Sequence, residues 1–262
     1  MVLRYKVLIF SSLLLPILLT FSECVTTCKP HTVTLSMIVK NEANRYLRDV
    51  LSEVRTYIDA AVIIDDHSTD NTVAICQEML QGIPLKILTN NSDLFEKHES
   101  ELREKQWNET IGFNADWILN LDADEIPEKK LGSLIATMIN NENVDAYSFR
   151  FFDFWDKDHY REDCYWRAHL KSTFIFLARF IPTIKYTWSK KPLHSGRWPL
   201  EINNFITQHT NLRFKHFGWA TPEDRKNKYK FYMRLDPNGK FGWSAQYASI
   251  LDKKPKLKLW RE

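Results

Sequence analysis

The first half of the chain alternates between short apolar runs and segments with helical spacing. Thr32–Val39 is rich in β-branched residues and predicts a strand, and Tyr46–Val54 carries apolar residues at helical intervals. Ala60–Ile64 and Leu85–Leu88 predict two more strands, with a helix over residues 73–80 between them. This alternation predicts an α/β fold with a parallel sheet and crossover helices.

The second half has a less regular pattern, although further elements can be predicted. The predicted strands are Trp117–Leu121, Val144–Phe152, Ser172–Phe180 and Leu212–Phe217, and the predicted helices are Phe95–Ile111 and Pro222–Leu235. The tail Lys253–Arg261 mixes basic and apolar residues. We expect a solvated, frayed end there, with contact to an anionic membrane surface as the alternative.

The first thirty residues differ from the rest. Arg4 and Lys6 precede an apolar run, Val7–Phe21, which is short for a membrane span and about right for a signal-peptide core. No clean cleavage site follows it. We expect a marginal N-terminal anchor, with a cleaved signal peptide as the alternative.

Composition narrows the class of protein. A chain of 262 residues with 44% hydrophobic content can bury one substantial core, so we expect a single domain with elaborations. A net charge of +3 is too balanced to argue for nucleic acid as the main partner, so we expect none. Four cysteines predict neither a disulfide framework nor a zinc site, and Cys76 lies on an apolar helix face. The nine tryptophans suit sugar rings, although core packing is the commoner use.

Three carboxylates follow the buried run Trp117–Leu121 directly: Asp122, Asp124 and Glu125. They repel one another, so a divalent cation with oxygen ligands, Mg²⁺ or Mn²⁺, would stabilise them. Open α/β sheets bind ligands at the carboxyl ends of their strands, where this turn falls. The alternative is a solvated acidic turn.

A second acidic turn follows the strand Ala60–Ile64, where Asp65 and Asp66 precede a helix. An aspartate there can accept hydrogen bonds from a nucleobase or from ribose hydroxyls, and the helix start favours a phosphate. The alternative is helix capping, which explains Ser68 to Asp70 but not the paired aspartates.

Three segments together resemble family 2 glycosyltransferases: Met37–Glu42, Val62–Thr72 and Trp117–Glu125, in the order and spacing of that family. The resemblance covers roughly residues 33–128 well. It implies a GT-A-like fold, with a Rossmann-type, mostly parallel sheet flanked by helices. It also implies a nucleotide-sugar donor, with a UDP-sugar expected, and Mn²⁺ or Mg²⁺ held at an Asp-x-Asp motif.

The resemblance assigns roles by position. Asp66 would bind the base or ribose of the donor, Asp122 would face the ribose and sugar, and Asp124 would be the metal ligand. His67 replaces the glycine that usually follows the paired aspartates. The predicted donor-binding set is completed by Asn41, Glu42, Asp65 and Arg103.

Arg103 belongs to this set because Glu99, Arg103 and Trp107 fall on one face of the predicted helix. There Arg103 could reach the diphosphate or a donor hydroxyl. The alternative is an ordinary exposed salt bridge between Glu99 and Arg103. A His-Glu pair followed by a Leu-Arg pair, here His98-Glu99 and Leu102-Arg103, resembles an arrangement in a bacterial branch of the family.

An inverting transfer needs a carboxylate that deprotonates the acceptor hydroxyl. The pair Glu162 and Asp163 resembles the Glu-Asp pair that carries the base in many relatives, and we select Asp163. Asp153 and Asp156 are alternatives. His216 resembles the histidine from which GT-A enzymes often take a further metal or diphosphate ligand, and His194 lies in a turn that could line the acceptor site.

We therefore expect a leader at residues 1–30, a nucleotide-sugar half at 31–130, and an acceptor-side elaboration at 131–262 with a basic tail. The expected activity is metal-dependent, inverting sugar transfer to a carbohydrate, lipid-linked or protein acceptor. A nucleotidyltransferase and a non-catalytic carbohydrate-binding protein are the alternatives. We expect a cytoplasmic catalytic domain, anchored through residues 7–21, with a lumenal or exported protein as the alternative.

Overall fold

The computed structural model describes residues 31–163, 165–171, 173–191 and 195–262. The strands are β1 (Val33–Val39), β2 (Ala60–Asp65), β3 (Leu85–Thr89), β4 (Trp117–Asp122), β5 (Glu125–Pro127), β6 (Ala146–Asp153), β7 (His159–Arg161), β8 (Phe174–Arg179), β9 (Thr207–His216) and β10 (Leu257–Leu259). The helices are α1 (Leu47–Val54), α2 (Thr72–Met79), α3 (Phe95–Ile111), α4 (Lys130–Ile139), α5 (Ala168–Lys171), α6 (Pro222–Leu235) and α7 (Ser244–Ser249), and a 3₁₀ helix spans Leu200–Asn204.

The predicted elements of the first half are confirmed to within two residues at their ends. The apolar pattern is decisive because every residue of β1 is buried, as is the apolar face of α1. Helix α3 has the predicted bounds but contains a break at His98, whose φ and ψ are −137° and 39°. The short elements β5, β7, α4, α5, α7 and β10 were not predicted.

Eight strands form one sheet in the order β3-β2-β1-β4-β8-β6-β9-β5. The first four are mutually parallel, which confirms the predicted parallel sheet with crossover helices. Strand β1 lies between β2 and β4, with Val39 opposite Asp65 and Ile38 opposite Asp122. The two acidic turns predicted from sequence therefore leave the same edge of the sheet.

The other four strands extend this sheet with both parallel and antiparallel pairs. Strand β8 is antiparallel to β4 and β6, while β6 and β9 run parallel. Strand β5, which directly follows the acidic turn, pairs with the end of β9 and sets Glu125 opposite His216. The second half of the chain thus supplies a wall next to the acidic edge.

Aromatic side chains fill the core where the two parts of the sheet meet. Trp117, Tyr147, Phe149 and Phe214 are all buried, and the rings of Phe149 and Phe214 lie 4.9 Å apart. Each such side chain contributes about 1.5–3 kcal/mol through burial. Cys76 is buried as predicted, and burial raises the pKa of its thiol to about 12.

The C-terminal tail is ordered, so the expected frayed end was wrong. Strand β10 pairs antiparallel with β7. The next residue, Trp260, packs against Phe152 and Phe154, and the Arg213 guanidinium lies 4.1 Å from its ring centroid. Backbone pairing and this anchor outweigh the solvation of the neighbouring lysines.

Several predictions concern residues outside the described ranges. These are the leader, residues 1–30, and His194 in its turn. None of the helices in the described part of the chain has the length and apolar character needed to cross a membrane.

Candidate active site

A cavity of about 1030 Å³ opens at the acidic edge of the sheet. The loop after β1 contributes Asn41 and Glu42, and the loop after β2 contributes Asp66. Strand β4 contributes its last residue, Asp122, and the turn after it contributes Asp124. The structure therefore brings together these five predicted site residues, which are separated by up to 83 positions in the chain.

Hydrogen bonds lock the loop after β1 to the loop after β2. The Asn41 backbone N–H donates to Ser68 Oγ at 2.9 Å, and the Thr69 backbone N–H donates to Asn41 Oδ1 at 2.8 Å. Asn41 and His67 both adopt left-handed backbone conformations, with φ of 53° and 66°. His67 thus adopts a conformation that glycine reaches at lower cost.

Asp66 is fully buried and positions the start of α3. Its carboxylate accepts hydrogen bonds from the backbone N–H groups of Leu94 (3.0 Å) and Phe95 (2.9 Å), and from Asn90 Nδ2 (2.8 Å). Asp65 is also buried, but it does not line the cavity, and it accepts from the Ser68 N–H at 3.3 Å. Asp66 therefore combines a place in the cavity wall with a structural role.

Two guanidinium groups hold the Asp122 carboxylate. Arg103 Nη2 donates to Asp122 Oδ1 at 3.0 Å, and Arg197 Nη2 lies 3.6 Å from Asp122 Oδ2. Burial by itself would raise the pKa of Asp122, but these positive charges outweigh it and hold the pKa well below its usual value. Asp122 is therefore ionised at neutral pH.

Arg103 is buried in the cavity wall, and so is Glu99. The exposed salt bridge between these two residues, considered from sequence, is not found, because Arg103 reaches Asp122 and Gln106 Oε1 instead. The Arg103 Nε atom has no hydrogen-bond partner among the described residues. Arg103 thus lines the cavity, and its role towards the donor stays a prediction.

Arg197 is a site residue that the sequence analysis missed. Its guanidinium makes two hydrogen bonds to Glu125, at 2.6 and 2.7 Å, and a third to the Asn120 carbonyl at 3.0 Å. Glu125 in turn accepts from the Asp122 backbone N–H at 2.8 Å. Glu125 therefore shapes the acidic turn, and no local pattern could have paired it with an arginine 72 positions away.

Asp124 and His216 lie together on the far side of this turn. His216 Nε2 is 3.8 Å from Asp124 Oδ1, while its Nδ1 is 2.8 Å from Asp153 Oδ1. Burial lowers the pKa of His216, but Asp124 and the Asp153 hydrogen bond outweigh it and raise the pKa above its usual value. The His216 ring also stacks on Phe151 at 4.8 Å.

Two further cations, which also line the cavity, lie near Asp124. Arg45 Nη2 is 3.9 Å and Lys228 Nζ is 4.0 Å from Asp124 Oδ2. Arg45 also donates to Glu42 Oε2 at 2.8 Å. Burial raises the pKa of Glu42 to about 7 despite this partner.

The space between Asp124 and His216 suits a metal ion. A Cβ atom added to Gly218 would collide with Lys228 Nζ, the nearest atom, and would lie 2.5 Å from His216 Nε2 and 2.9 Å from Asp124 Oδ2. The glycine therefore leaves room beside these two side chains, and the Lys228 ammonium borders that room. Two ligands of one Mg²⁺ can be at most about 4.2 Å apart, which accommodates the observed 3.8 Å. Within the described ranges, no three acidic, histidine or cysteine side chains cluster as a complete metal site.

Glu162 and Asp163, selected from sequence as the base pair, do not line the cavity. Asp163 accepts hydrogen bonds from Arg161 Nε at 2.9 Å and from the Lys256 backbone N–H at 2.9 Å. Glu162 is bonded to His169 Nε2 at 2.7 Å and to the Lys258 ammonium. Both carboxylates attach the C-terminal tail, and their assignment as the base stays a prediction.

The fold is that of GT-A glycosyltransferases. The structure resembles a crystal structure of TarS residues 1–349 from S. aureus in complex with UDP-GlcNAc. The TM-score is 0.51 at 13% identity, covering 84% of this chain and 70% of that one. A crystal structure of longer TarS gives a TM-score of 0.50 at 14% identity, over 84% of this chain and 42% of that one. Similarity at this identity establishes the predicted fold.

The sequence profile of glycosyl transferase family 2 matches residues 34–193, and the chain belongs to this family. An uncharacterised protein of Mycobacterium tuberculosis is 25% identical over 225 residues, which cover 83% of this chain and 54% of the relative. An uncharacterised glycosyltransferase of Rickettsia bellii is 32% identical over 115 residues, covering 44% of this chain and 35% of the relative. The chain thus spans about half the length of the mycobacterial relative and about a third of the length of the rickettsial one.

Proposed function

We propose that this protein is a metal-dependent glycosyltransferase that moves a sugar from a UDP-sugar to an acceptor hydroxyl, with inversion at the transferred carbon. The observation that carries this proposal is the convergence of Asp66, Asp122 and Asp124 on one cavity. Family membership supports sugar transfer, and the UDP-GlcNAc complex of TarS supports a UDP-sugar donor.

The donor nucleotide fits the part of the cavity formed by the loops after β1 and β2. Asp66, Asn41 and Glu42 line this part with acceptor and donor groups for a base and ribose. Arg103 and Arg197 lie next to Asp122, where the donor sugar and its phosphates would follow. These assignments follow the predicted donor-binding set, with Arg197 added.

Asp124 and His216 would hold the Mn²⁺ or Mg²⁺ ion. When bound, such an ion acts as a Lewis acid that stabilises negative charge on the departing diphosphate. Two side chains leave an octahedral shell incomplete, so oxygen atoms of the donor diphosphate would complete it. Lys228 and Arg45 add positive charge on the same side of the cavity.

The base that deprotonates the acceptor should lie in the cavity wall. Seven carboxylates line the cavity, and five have a cation within 4.0 Å. The exceptions among the described residues are Asp66, which already accepts three hydrogen bonds, and Glu99. Glu99 accepts from the Ser195 backbone N–H at 3.4 Å, so its position supports the role of base better than that of Asp163.

The test uses titration calorimetry with UDP and Mn²⁺ on the full chain and on Asp124→Asn. We expect Mn²⁺ to raise UDP affinity in the original chain and to have little effect in the variant. Asp158→Asn is the matched control, because this carboxylate is half-exposed and outside the cavity. A Mn²⁺ effect that survives Asp124→Asn would exclude this metal ligand.

A second measurement separates an enzyme from a carbohydrate-binding protein on the same fold. Release of UDP from UDP-glucose, UDP-galactose and UDP-GlcNAc is followed with Mn²⁺ and without it. Slow release to water in the presence of Mn²⁺ supports a transferase. Binding of a UDP-sugar without any release, in the presence of hydroxyl acceptors, supports the non-catalytic alternative.

A further inference from the structure

A second cavity, of about 470 Å³, adjoins the first. Four side chains line both cavities: Phe151, Phe174, Trp219 and Tyr232. Trp219 lies next to the proposed metal site. Lys228 Nζ is 4.5 Å from the centroid of the Trp219 ring, and Trp219 Nε1 donates to Asp153 Oδ1 at 3.2 Å. The second cavity therefore continues from the place where a sugar would be transferred.

The chemistry of the second cavity differs from that of the first. Eight of its eleven lining residues are aromatic and none is charged, whereas lysines and arginines line the first cavity. An anionic acceptor would need such cations. Among the described residues of this lining, Ile250 is the sole aliphatic one, so the wall is mostly flat and aromatic. Such a wall differs from the aliphatic lining that suits an acyl chain.

Part of this aromatic wall is exposed. Trp243 has a fractional exposure of 66%, and Phe174 and Phe241 also expose their rings. Buried rings such as Trp166 already pack in the core beneath, against Trp155 and Trp219. The exposed rings leave apolar faces in water, at a site where the half-buried Gln246 offers an amide.

We infer that this second cavity binds a neutral sugar ring of the acceptor, so that the acceptor is a glycan or glycoside. This inference rests on the proposed function. The C–H face of a pyranose matches a flat aromatic side chain, and its hydroxyl groups match the Gln246 amide. Trp243 is the main stacking surface, because it is the most exposed ring of the wall.

The experiment measures saturation-transfer difference NMR on the full chain with UDP and Mn²⁺ present. The probes are methyl β-glucoside, methyl β-galactoside and methyl N-acetyl-β-glucosaminide. We expect at least one probe to bind, and Trp243→Ala to weaken its binding about fivefold or more, the scale of losing one well-packed aromatic contact. Trp243→Phe should retain part of the affinity, because it keeps a flat ring.

Ile206→Ala is the matched control, since Ile206 is 65% exposed and lies outside both cavities. It should leave glycoside binding unchanged. Glycoside binding that is absent, or unchanged in Trp243→Ala, overturns the inference. Binding of decanol that displaces the glycosides and is lost in Trp243→Ala would also overturn it, in favour of a lipid chain.

The affinity for UDP separates this inference from the proposed function. We expect Trp243→Ala to bind UDP and Mn²⁺ as the original chain does, because Trp243 does not line the first cavity. If the original chain binds glycosides but not UDP, the proposed function fails while the sugar site stands. If it binds UDP and none of the glycosides, the sugar site fails alone.

Discussion

Arg103 Nη2 donates a hydrogen bond to Asp122 Oδ1 at 3.0 Å, and this contact joins the middle of α3 to the end of β4. The arginine is 5% exposed, while the aspartate side chain keeps 36% of its surface accessible to the cavity. The ionised Asp122 carboxylate is thus accessible to a ligand, and the buried Arg103 holds it in position.

A double-mutant cycle on this pair should show substantial coupling. Arg103→Ala, Asp122→Ala and the double variant are compared by urea unfolding. Hydrogen bonds to charged groups contribute about 1.5–3 kcal/mol, and we expect about 1 kcal/mol or more because solvent screens Asp122 in part. The exposed pair Arg48 and Glu78 is the control, with an expected coupling below about 0.5 kcal/mol. Equal coupling in both pairs would contradict the structural role.

Gly218→Ala should impair the proposed metal site without changing any of its ligands. The added methyl group would collide with Lys228 Nζ and would lie 2.5 Å from His216 Nε2 and 2.9 Å from Asp124 Oδ2. We expect the Mn²⁺-dependent part of UDP affinity to fall about tenfold or more, and UDP affinity without metal to change little. Gly82→Ala is a poor control because its φ is 88°, so Gly112→Ala is used instead. Retained Mn²⁺ dependence would place the ion elsewhere.

The base can be identified by comparing two conservative variants. Glu99→Gln should lower the rate of transfer by about 10²-fold or more while donor affinity is retained, the scale of general-base contributions. Asp163→Asn should instead lower the free energy of unfolding by about 1–3 kcal/mol, because its carboxylate receives hydrogen bonds from the buried Arg161. A large loss of transfer in a folded Asp163→Asn protein would return the base to the residue selected from sequence.

Acidification should loosen the C-terminal tail. Burial tends to raise the pKa of Glu162, but Lys258 and His169 outweigh it, so the pKa lies below the usual 4.5. Burial lowers the pKa of His169 below 6.5 despite its bond to Glu162. As the pH falls, the unfolded chain therefore binds protons at both groups before the folded chain does. The stability that these two groups contribute is present near pH 7 and is lost on acidification.

The measurement is limited proteolysis of the tail, together with tryptophan fluorescence, between pH 7.5 and pH 4. Glu162→Gln should flatten the pH dependence of tail cleavage, because it removes the titrating carboxylate and weakens the bonds to His169 and Lys258. The same dependence in the variant and in the original chain would show that other groups cause it.

The location of the catalytic domain depends on its proposed donor. Nucleotide sugars are made in the cytosol, so we predict a cytosolic catalytic domain with Val7–Phe21 as a weak peripheral anchor. Arg4 and Lys6 precede this run, which by the positive-inside tendency would favour export of the domain on its C-terminal side. A reporter that is active only in the cytosol, fused after Glu262, should therefore be active in cells. A silent reporter, or a mature N-terminus near Cys24, would indicate an exported protein.

The sequence predicted the acidic edge of the parallel sheet because the information for it is local, while the roles of the residues at that edge stay predictions. Asp66 directly follows β2 and Asp122 ends β4, and parallel strands place their carboxyl ends at one edge. Strand order then needs only short crossover connections. Helix α3 was also predicted with its bounds, since seventeen residues provide enough turns for its face to be recognised.

The partners of Glu162 and Asp163 were not predicted, because their contacts join residues that are far apart in sequence. Glu162 and Asp163 resemble a catalytic pair locally, yet the tail returns to them through Lys256 and Lys258, more than ninety positions later. Only the folded chain shows that their carboxylates are already engaged.

Local apolar periodicity explains what the sequence predicted, and long-range packing explains what it did not. Periodic apolar residues determined the strands, the helices and the edge at which the aspartates emerge. The tertiary structure decided which charged groups lie together: Arg197 reached Glu125, and Gly218 came next to Asp124, His216 and Lys228. Such pairings depend on the packing of the whole sheet, because the energy of an ion pair or a metal site depends on distances that no local spacing specifies.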